Sequence, residues 1–388
     1  MKIGMFINYY TPSKGGMETS VVNLCRGLEK AGHQTFVFAP EYPNYIDKEK
    51  NIFRYKSFRF SYGGYFYVLP LPFFSRKMEE IVNGLNLDII HSHQPYSLGD
   101  EALKFSKKLN IPLVFTYHIK YEDYHHYVPF IPENISRKFI RKITTKYSNQ
   151  CGAIIAPSTA IKKLLIDHQI KAPISIIPSG IDINNFAKDT GKREEIRNKY
   201  KISSDDVALI TACRLTEEKN VGFLVRSFNR IKKSCASAKF IIVGGGAVKK
   251  DLERMAEEFG IKDSIIFTGL VNKEEIINLY QASDIFIFAS KTETQGLVAV
   301  EAMAAGNPVV AVKASGIEDI VKNGEDGFLT SESEEEFSSS VVKIITDKSL
   351  REKMSARAKI NSKRFSIEPW VEKVAGLYRE LTDRNKNN

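Results

Sequence analysis

The stretch from Ser290 to Pro308 carries the residues best suited to chemistry in this sequence. Glu293 and Glu301 are separated by seven residues. The pattern around them predicts a strand over Asp284–Phe288, a polar loop carrying Glu293, and a helix opening near Gly296. Glu301 then falls about one and a half turns into that helix. Gly306 and Pro308 close the helix and open the next strand. The backbone N–H groups of Thr294, Gln295, Gly296 and Leu297 lie at the helix start, where anions are stabilised. One carboxylate on the loop and one inside the helix can grip neutral hydroxyl groups. A plainer description is a solvated loop charge and a helix acid placed to suit the dipole. Taken alone, the two glutamates favour the plainer one.

Other residues of chemical interest also follow predicted strands. Arg214 and Lys219 come after the strand Val207–Ala212, with Gly222 close behind. Cations held there stabilise negative charge as it develops on a leaving group; as plain loop residues they would only be surface charge. Gly15-Gly16 precedes a predicted helix, Met17–Ala31, so amide groups there can approach a phosphate or a sugar closely. A Gly-Gly pair is also an ordinary tight turn. Gly244-Gly245-Gly246 follows another strand but lacks the full dinucleotide spacing. His118 follows the strand Leu113–Tyr117 and can bond a hydroxyl or move a proton near neutral pH. His91 and His93 also sit at a strand end, where a structural role is the simpler reading.

The elements that must position these residues are alternating strands and amphipathic helices, the pattern of parallel sheets covered on both faces. In the first half the strands are Lys2–Asn8, Gln34–Ala39, Asp88–Ser92, Leu113–Tyr117, Gly152–Ala156 and Ile174–Ile177. Pro178-Ser179-Gly180 breaks the series, and a polar stretch follows. A second series begins at Val207, with strands at Lys239–Val243, Ser264–Thr268, Asp284–Phe288 and Pro308–Ala311. The chain thus reads as two doubly wound α/β domains joined near residues 178–204. Ligands in such folds bind outside the carboxyl ends of the strands. A last helix, Glu368–Leu381, has one apolar face that caps the second domain or crosses back to the first.

The length of 388 residues suits two cores rather than one. Hydrophobic residues at 43% and charged residues at 26% are ordinary for a globular protein. No segment approaches the ~20 apolar residues of a membrane span, and Met1–Asn8 reads as a buried strand rather than a secretory signal. A cytoplasmic protein is expected. Four scattered cysteines argue against a disulfide framework or zinc site. The net charge of +10 is uneven: 23 basic face 15 acidic residues through Asn185, and 33 face 31 beyond it. A basic first half suggests an anionic partner: nucleic acid, membrane or a phosphorylated substrate. It equally serves solubility, and no nucleic-acid motif is recognisable.

Glu293 and Glu301 at this separation, Gly296 at the helix start and Gly306-Asn307-Pro308-Val309-Val310 together resemble the signature of glycosyltransferase family four. The resemblance extends over nearly the whole chain through Gly15-Gly16, Pro178-Ser179-Gly180-Ile181-Asp182, Arg214 and Lys219. It implies the GT-B fold, two Rossmann-like domains facing across a cleft. Residues 1–180 would form the acceptor and membrane side, 181–365 the nucleotide-sugar domain, and 366–388 a C-terminal helix. It also implies hexose transfer with retention of anomeric configuration. The donor would meet Gly15, Gly16, Arg214, Lys219, Gly244, Leu270, Glu293, Thr294, Gln295, Gly296, Leu297 and Glu301, with the base against the loop Thr268–Val271. His118, Glu293, Arg214 and Lys219 would carry the chemistry, with Glu293 the side chain to test as nucleophile or oxocarbenium stabiliser. The chain has no Asp-x-Asp pair, so no catalytic metal and no cofactor beyond the nucleotide sugar is expected.

The run from Tyr117 to Tyr127 is similar to a stretch in bacterial diacylglycerol glycosyltransferases, where Tyr-Glu-Asp-Tyr follows the cleft histidine. Tyr121, Glu122 and Asp123, beside His118, would address the acceptor; a solvated loop is the alternative. In Ser136–Tyr147, Arg137, Lys138, Arg141, Lys142 and Lys146 alternate with Phe139, Ile140 and Ile143. That suits an interfacial helix on an anionic membrane as well as a solvated helix face. Phe53–Phe74 mixes aromatics with cations, as at a membrane interface or in a core. The expectation is a UDP-hexose (glucose or galactose) transferred to diacylglycerol by an enzyme peripheral to the inner membrane face. Hexosyl transfer, such as mannosyl transfer, to phosphatidylinositol or a soluble glycan precursor is the enzyme alternative. A nucleic-acid-binding protein is the non-enzyme alternative.

Overall fold

A computed structural model describes residues 1–13, 15–62, 65–71, 76–123, 132–314 and 316–387. The chain divides into two compact units, Met1–Gly180 with Ile367–Asn388, and Ile181–Ser366.

The first unit is built on a seven-stranded parallel sheet. Its elements are β1 (Lys2–Phe6), α1 (Gly16–Lys30), β2 (Gln34–Pro40), β3 (Ile52–Tyr55), β4 (Ser57–Tyr62), β5 (Tyr65–Pro70), α2 (Arg76–Leu85), β6 (Ile89–Ser92), α3 (Leu98–Leu109), β7 (Leu113–Thr116), α4 (Glu133–Ser148), β8 (Ala153–Ala156), α5 (Thr159–Asp167) and β9 (Ile174–Ile176). The sheet order is β3-β2-β1-β6-β7-β8-β9. The order reverses between β1 and β6, which is where such sheets open a crevice for ligands. The central strands are buried throughout their length, as expected for a parallel sheet covered on both faces. β4 and β5 form a separate antiparallel hairpin within the aromatic stretch. Gly63, Gly64, Pro72, Phe73 and Phe74 of that stretch, and Tyr124 to Tyr127 of the later run, lie outside the described residues.

The second unit contains α6 (Asn184–Ala187), α7 (Arg193–Lys199), β10 (Val207–Ala212), α8 (Val221–Ser234), β11 (Ala238–Val243), α9 (Lys249–Glu258), β12 (Ile265–Gly269), α10 (Lys273–Ala282), β13 (Ile285–Phe288), α11 (Leu297–Ala305), β14 (Val309–Val312), β15 (Gly327–Thr330), α12 (Glu334–Thr346) and α13 (Lys348–Ser362). Its six parallel strands run β12-β11-β10-β13-β14-β15. The switch point lies between β10 and β13, the two strands that carry Arg214 with Lys219 and Glu293 on their following loops. One face of this sheet is covered by α6, α7, α10 and α11 and the other by α8, α9 and α12, while α13 contributes Ala358 to the first core and Met354 to the second. α11 is nearly apolar all round, the mark of a helix inside a core. The polar stretch after Gly180 is not a plain linker: it folds into α6 and α7. Arg197 of α7 is buried and donates to the carbonyls of Ala282, Ser203 and Asp206.

The chain then returns to the first unit as α14 (Ile367–Asn387). Trp370, Val371, Val374, Ala375, Tyr378 and Leu381 bury its apolar face beside α1 and the sheet. Gly27 of α1 permits this approach. A Cβ there would stand 2.4 Å from Val371 Cγ2 and 2.9 Å from Ile367 Cγ2.

Candidate functional site

The loops at the β10–β13 switch point are tied together by backbone and by charge. The Lys291 amide donates to the Glu218 carbonyl at 2.9 Å. Lys219 Nζ meets Glu293 Oε1 at 2.5 Å, with both side chains less than one-fifth exposed. A short 3-10 turn, Glu217–Lys219, ends on left-handed Asn220 and aims the lysine at that carboxylate. Arg214 is half exposed, with Glu218 Oε1 at 3.8 Å. Two cations and a carboxylate thus stand at the carboxyl edge, where a bound anion and a polar ring can share them.

Glycines let the neighbouring loops close over this edge. Gly244 has φ +132°, and a Cβ there would lie 1.9 Å from the Cys213 carbonyl oxygen. A Cβ on Gly246 would lie 2.2 Å from the Leu215 carbonyl oxygen. Leu270 projects from the loop after β12, 87% exposed, with its side chain over Gly245. Gly296 caps α11 at φ +89°, a conformation that favours glycine. Thr294 and Gln295 precede it and Leu297 opens the helix. The first turn of any helix leaves amide groups without intrahelical partners. Glu301 lies on the same helix and accepts from the Tyr280 hydroxyl at 3.3 Å. Burial pushes its carboxyl up to about 7, against the Tyr280 bond and the Lys273 charge. Such a group both donates and accepts at neutral pH.

The first unit gathers a second set around its own switch point. Asn8 ties the loops after β1 and β6. Its amide donates to Gln94 Oε1 at 2.9 Å, and its side chain donates to the Tyr96 carbonyl and accepts from the Leu98 amide. Gln94 Nε2 donates to Met17 Sδ at 3.0 Å, which brings this loop against the start of α1. There Gly15 is the extended N-cap, and a Cβ on it would strike the Glu18 carboxylate. A Cβ on Gly16 would meet open space. His118 stands beside His93, with His118 Nε2 2.9 Å from His93 Nδ1. Burial lowers the His118 pKa to about 4, so the ring is neutral at physiological pH. His91 is spent inside the core, bonded to Tyr378 and Thr116.

The acceptor candidates are differently placed. Tyr121 is a core residue; its ring packs edge-on against Tyr117 and its hydroxyl donates to the His93 carbonyl. Glu122 meets the Tyr117 hydroxyl at 3.3 Å and His168 Nδ1 at 3.2 Å. Asp123 pairs with Arg137 of α4 at 3.4 Å. On α4, Ile135, Phe139 and Ile143 recur every four residues and are exposed by 55, 58 and 39%. Exposed Lys138 and Lys142 flank this stripe, while Arg141 donates to the Asp167 carbonyl. Among the described residues no helix is long and apolar enough to cross a membrane.

Sequence reasoning passed over one position that shapes these sites, Gly316, and read another, His93, as structural only. Gly316, at φ +96°, lies so close to the Thr294–Gln295 backbone that a Cβ would stand 2.6 Å from the Gln295 amide. Its signal was an isolated glycine after a strand. His93 contacts His118 because β6 and β7 are neighbours in the sheet. Its signal was a second histidine at the carboxyl end of an adjacent strand.

Comparison with known proteins agrees with this architecture. The family model for glycosyltransferase family 4 matches residues 14–185, and that for glycosyl transferases group 1 matches 192–361. The chain is 32% identical over 397 residues to an alpha-monoglucosyldiacylglycerol synthase of Acholeplasma laidlawii, covering 99% of this chain and 98% of that protein. It is 33% identical to a synthase of the same name from Streptococcus pneumoniae, over 80% of this chain and 71% of the relative. Two solved structures share the fold: sucrose-phosphate synthase from Thermosynechococcus elongatus (TM-score 0.83, 19% identity, 99% of both chains) and Anabaena HepE in complex with UDP and glucose (TM-score 0.77, 21% identity, 98% of this chain and all of that one). With two Rossmann-like parallel-sheet units and family models matched in both, the chain belongs to glycosyltransferase family 4 and is a glycosyltransferase.

Proposed function

We propose that this glycosyltransferase moves glucose from UDP-glucose to the free hydroxyl of diacylglycerol, with retention, at an anionic membrane surface. The observation that carries the reading is the 32% identity, over 99% of the chain, to a protein named alpha-monoglucosyldiacylglycerol synthase. The likeness to a structure holding UDP and glucose supports the donor, and the name's alpha product fits retention from an α-linked donor.

In this reading the second unit holds the donor. Arg214 and Lys219 face the diphosphate and take up its charge as the bond from the anomeric carbon to the phosphate oxygen breaks. Amide groups at the start of α11 add to that field. The chain's own cations do this work, without a metal. Glu301, able to give or accept a hydrogen bond, holds ribose hydroxyls, and Glu293 lies on the sugar side. When the diphosphate arrives, Lys219 is shared between it and Glu293. Glu293 then stabilises the oxocarbenium-like centre or adds to it covalently. The acceptor oxygen bonds to the anomeric carbon, and its proton passes to the departing phosphate or a nearby base. Neutral His118 bonds a hydroxyl of the transferred sugar. The apolar stripe and cations of α4 hold the first unit to the lipid surface. Glu122 and Asp123 act on the acceptor side by giving up their present partners.

The test is a donor and acceptor matrix with purified protein and mixed vesicles. UDP-, GDP- and ADP-hexoses are paired with diacylglycerol, phosphatidylinositol and soluble glycans. Glucosyl transfer from UDP-glucose to diacylglycerol is expected. Transfer only from another nucleotide, or only to another acceptor, would overturn the reading.

A further inference from the structure

Glu332 follows the carboxyl end of β15, yet it bonds to both segments that carry the Lys219–Glu293 pair. Its Oε1 lies 2.6 Å from Lys291 Nζ and accepts from Asn220 Nδ2 at 3.0 Å. Lys291 stands two residues before Glu293 on the loop after β13. Its amide donates to the Glu218 carbonyl, which joins that loop to the turn after β10. Asn220 directly follows Lys219, and its own amide closes the 3-10 turn on the Glu217 carbonyl at 3.0 Å. One carboxylate oxygen therefore holds a side chain from each segment, from a strand two places beyond β13 in the sheet.

The packing behind Glu332 makes it a firm anchor. α12 opens at Glu334 and lies against α8, which Asn220 caps. Phe223 and Phe337 pack edge-on between these two helices with centroids 5.3 Å apart, and Arg226 Nε is 2.6 Å from Glu334 Oε1. Ser333, the next residue, caps α12 by accepting from the Glu336 amide. The bond from Lys291 holds the Glu332 carboxyl below the usual glutamate range, so it is ionised at neutral pH. Neither Glu332 nor Lys291 has a task in the chemistry described above.

We propose that Glu332 is a positioning residue for the donor site: it holds the Asn220 and Lys291 segments together so that Lys219 and Glu293 are assembled before the nucleotide sugar arrives. The proposal rests on the reading of Lys219 and Glu293 as donor-site residues. A site assembled only part of the time binds its ligand more weakly in proportion to that fraction, while saturating ligand still draws every molecule into the assembled form. Loosening the tie therefore raises the donor KM and the UDP Kd together and leaves kcat unchanged. The field of the carboxylate acts the other way, since removing a negative charge near a diphosphate tightens its binding. The sign of the change separates holding the loops from simple electrostatics.

Three substitutions of Glu332 divide these effects. Glu332→Ala is expected to raise the donor KM and the calorimetric UDP Kd by about three- to tenfold, the scale of one half-exposed ion pair with one further hydrogen bond, with kcat nearly unchanged. Hydrogen exchange at the Lys291 amide reads the tie between the loops without any ligand, and it is expected to quicken by a similar factor. Glu332→Gln keeps an acceptor oxygen for both partners and stays within about twofold of the wild-type KM. Glu332→Asp keeps the charge but withdraws the oxygen by one methylene, so it raises KM by about threefold with no change of net charge. An unchanged or lowered UDP Kd in folded Glu332→Ala overturns the proposal, and so does a loss confined to kcat or wild-type exchange at Lys291. Should Glu332→Ala fail to fold, Glu332→Asp decides, and an unchanged KM there overturns the proposal. Lys219→Met with undiminished UDP affinity would remove the donor-site reading instead, a result distinguishable because exchange at Lys291 reads the loops regardless of ligand.

Discussion

Replacing Lys219 by Met tests the donor site with little change in volume. The substitution keeps the apolar stem and removes the ammonium that faces Glu293. Two effects follow on different scales. Glu293 loses its charged partner in a place less than one-fifth exposed. A hydrogen bond to a charged group contributes about 1.5–3 kcal/mol, and residual water access reduces this, so the expected stability loss is about 1–2 kcal/mol. For a unit of this size that is a Tm decrease of about 2–8 °C. The catalytic effect is larger. Removing one preorganised group aimed at developing charge costs about 2.7–4 kcal/mol, or 10²–10³ in kcat. The double variant Lys219→Met/Glu293→Gln separates the two. Removing both charges leaves no uncompensated carboxylate, so Tm recovers most of its loss while kcat stays low. Steady-state kinetics with a nucleotide-sugar donor, calorimetric UDP binding and thermal melts supply the readouts. A single variant with kcat and UDP affinity within threefold of wild type would refute the assignment of Lys219 to the leaving group.

Gly244→Ala places a Cβ against the Cys213 carbonyl at a φ that side chains rarely adopt; it should cost at least about 2 kcal/mol and weaken UDP binding, which melts and calorimetry would show. Glu301 has a carboxyl raised from 4.5 to about 7 by burial, so the folded state binds a proton that the unfolded state releases. Its contribution is full below pH 4.5 and is lost as pH rises to 7, by about 3 kcal/mol over that window. Glu301→Gln should therefore flatten that part of the Tm–pH curve, and an unchanged slope would contradict the assignment. Phe139→Glu removes an exposed ring from α4 and should weaken sedimentation with anionic vesicles by about tenfold or more. Lys138→Gln and Lys142→Gln should each weaken it about fivefold. Activity in detergent micelles should change little for all three, since none touches the reacting groups.

Much of the fold was legible because parallel strands announce themselves. Val207–Ala212 and Lys239–Val243 are β-branched and apolar runs bounded by polar loops, and both are central strands. β15 escaped because Gly327-Phe-Leu-Thr is short and opens on a glycine. That glycine is there because a Cβ would stand 1.9 Å from the Val309 carbonyl oxygen. α6 and α7 were hidden in a polar stretch because Arg197 looks like a surface residue until its buried carbonyl partners are known. At the site, Glu293 and Lys219 were readable as loop residues after strands. Their ion pair was not, because it depends on β10 and β13 being adjacent across 74 residues of chain. The same holds for His93 with His118 and for His91 with Tyr378, the second of which needs α14 to return to the first unit. Glu122 reads as an acceptor ligand in sequence, whereas its partner His168 becomes visible only in three dimensions.

The anomeric configuration of the product tests donor, acceptor and stereochemistry in one experiment. UDP-[1-13C]glucose is incubated with the purified protein and diacylglycerol in vesicles containing an anionic lipid, and the glycolipid is examined by NMR. The expected product carries a single glucosyl residue on the glycerol hydroxyl with the small anomeric coupling of an α-linkage, made without added metal and in the presence of a chelator. A β-linked product, or no transfer to diacylglycerol while another acceptor is glycosylated, would contradict it.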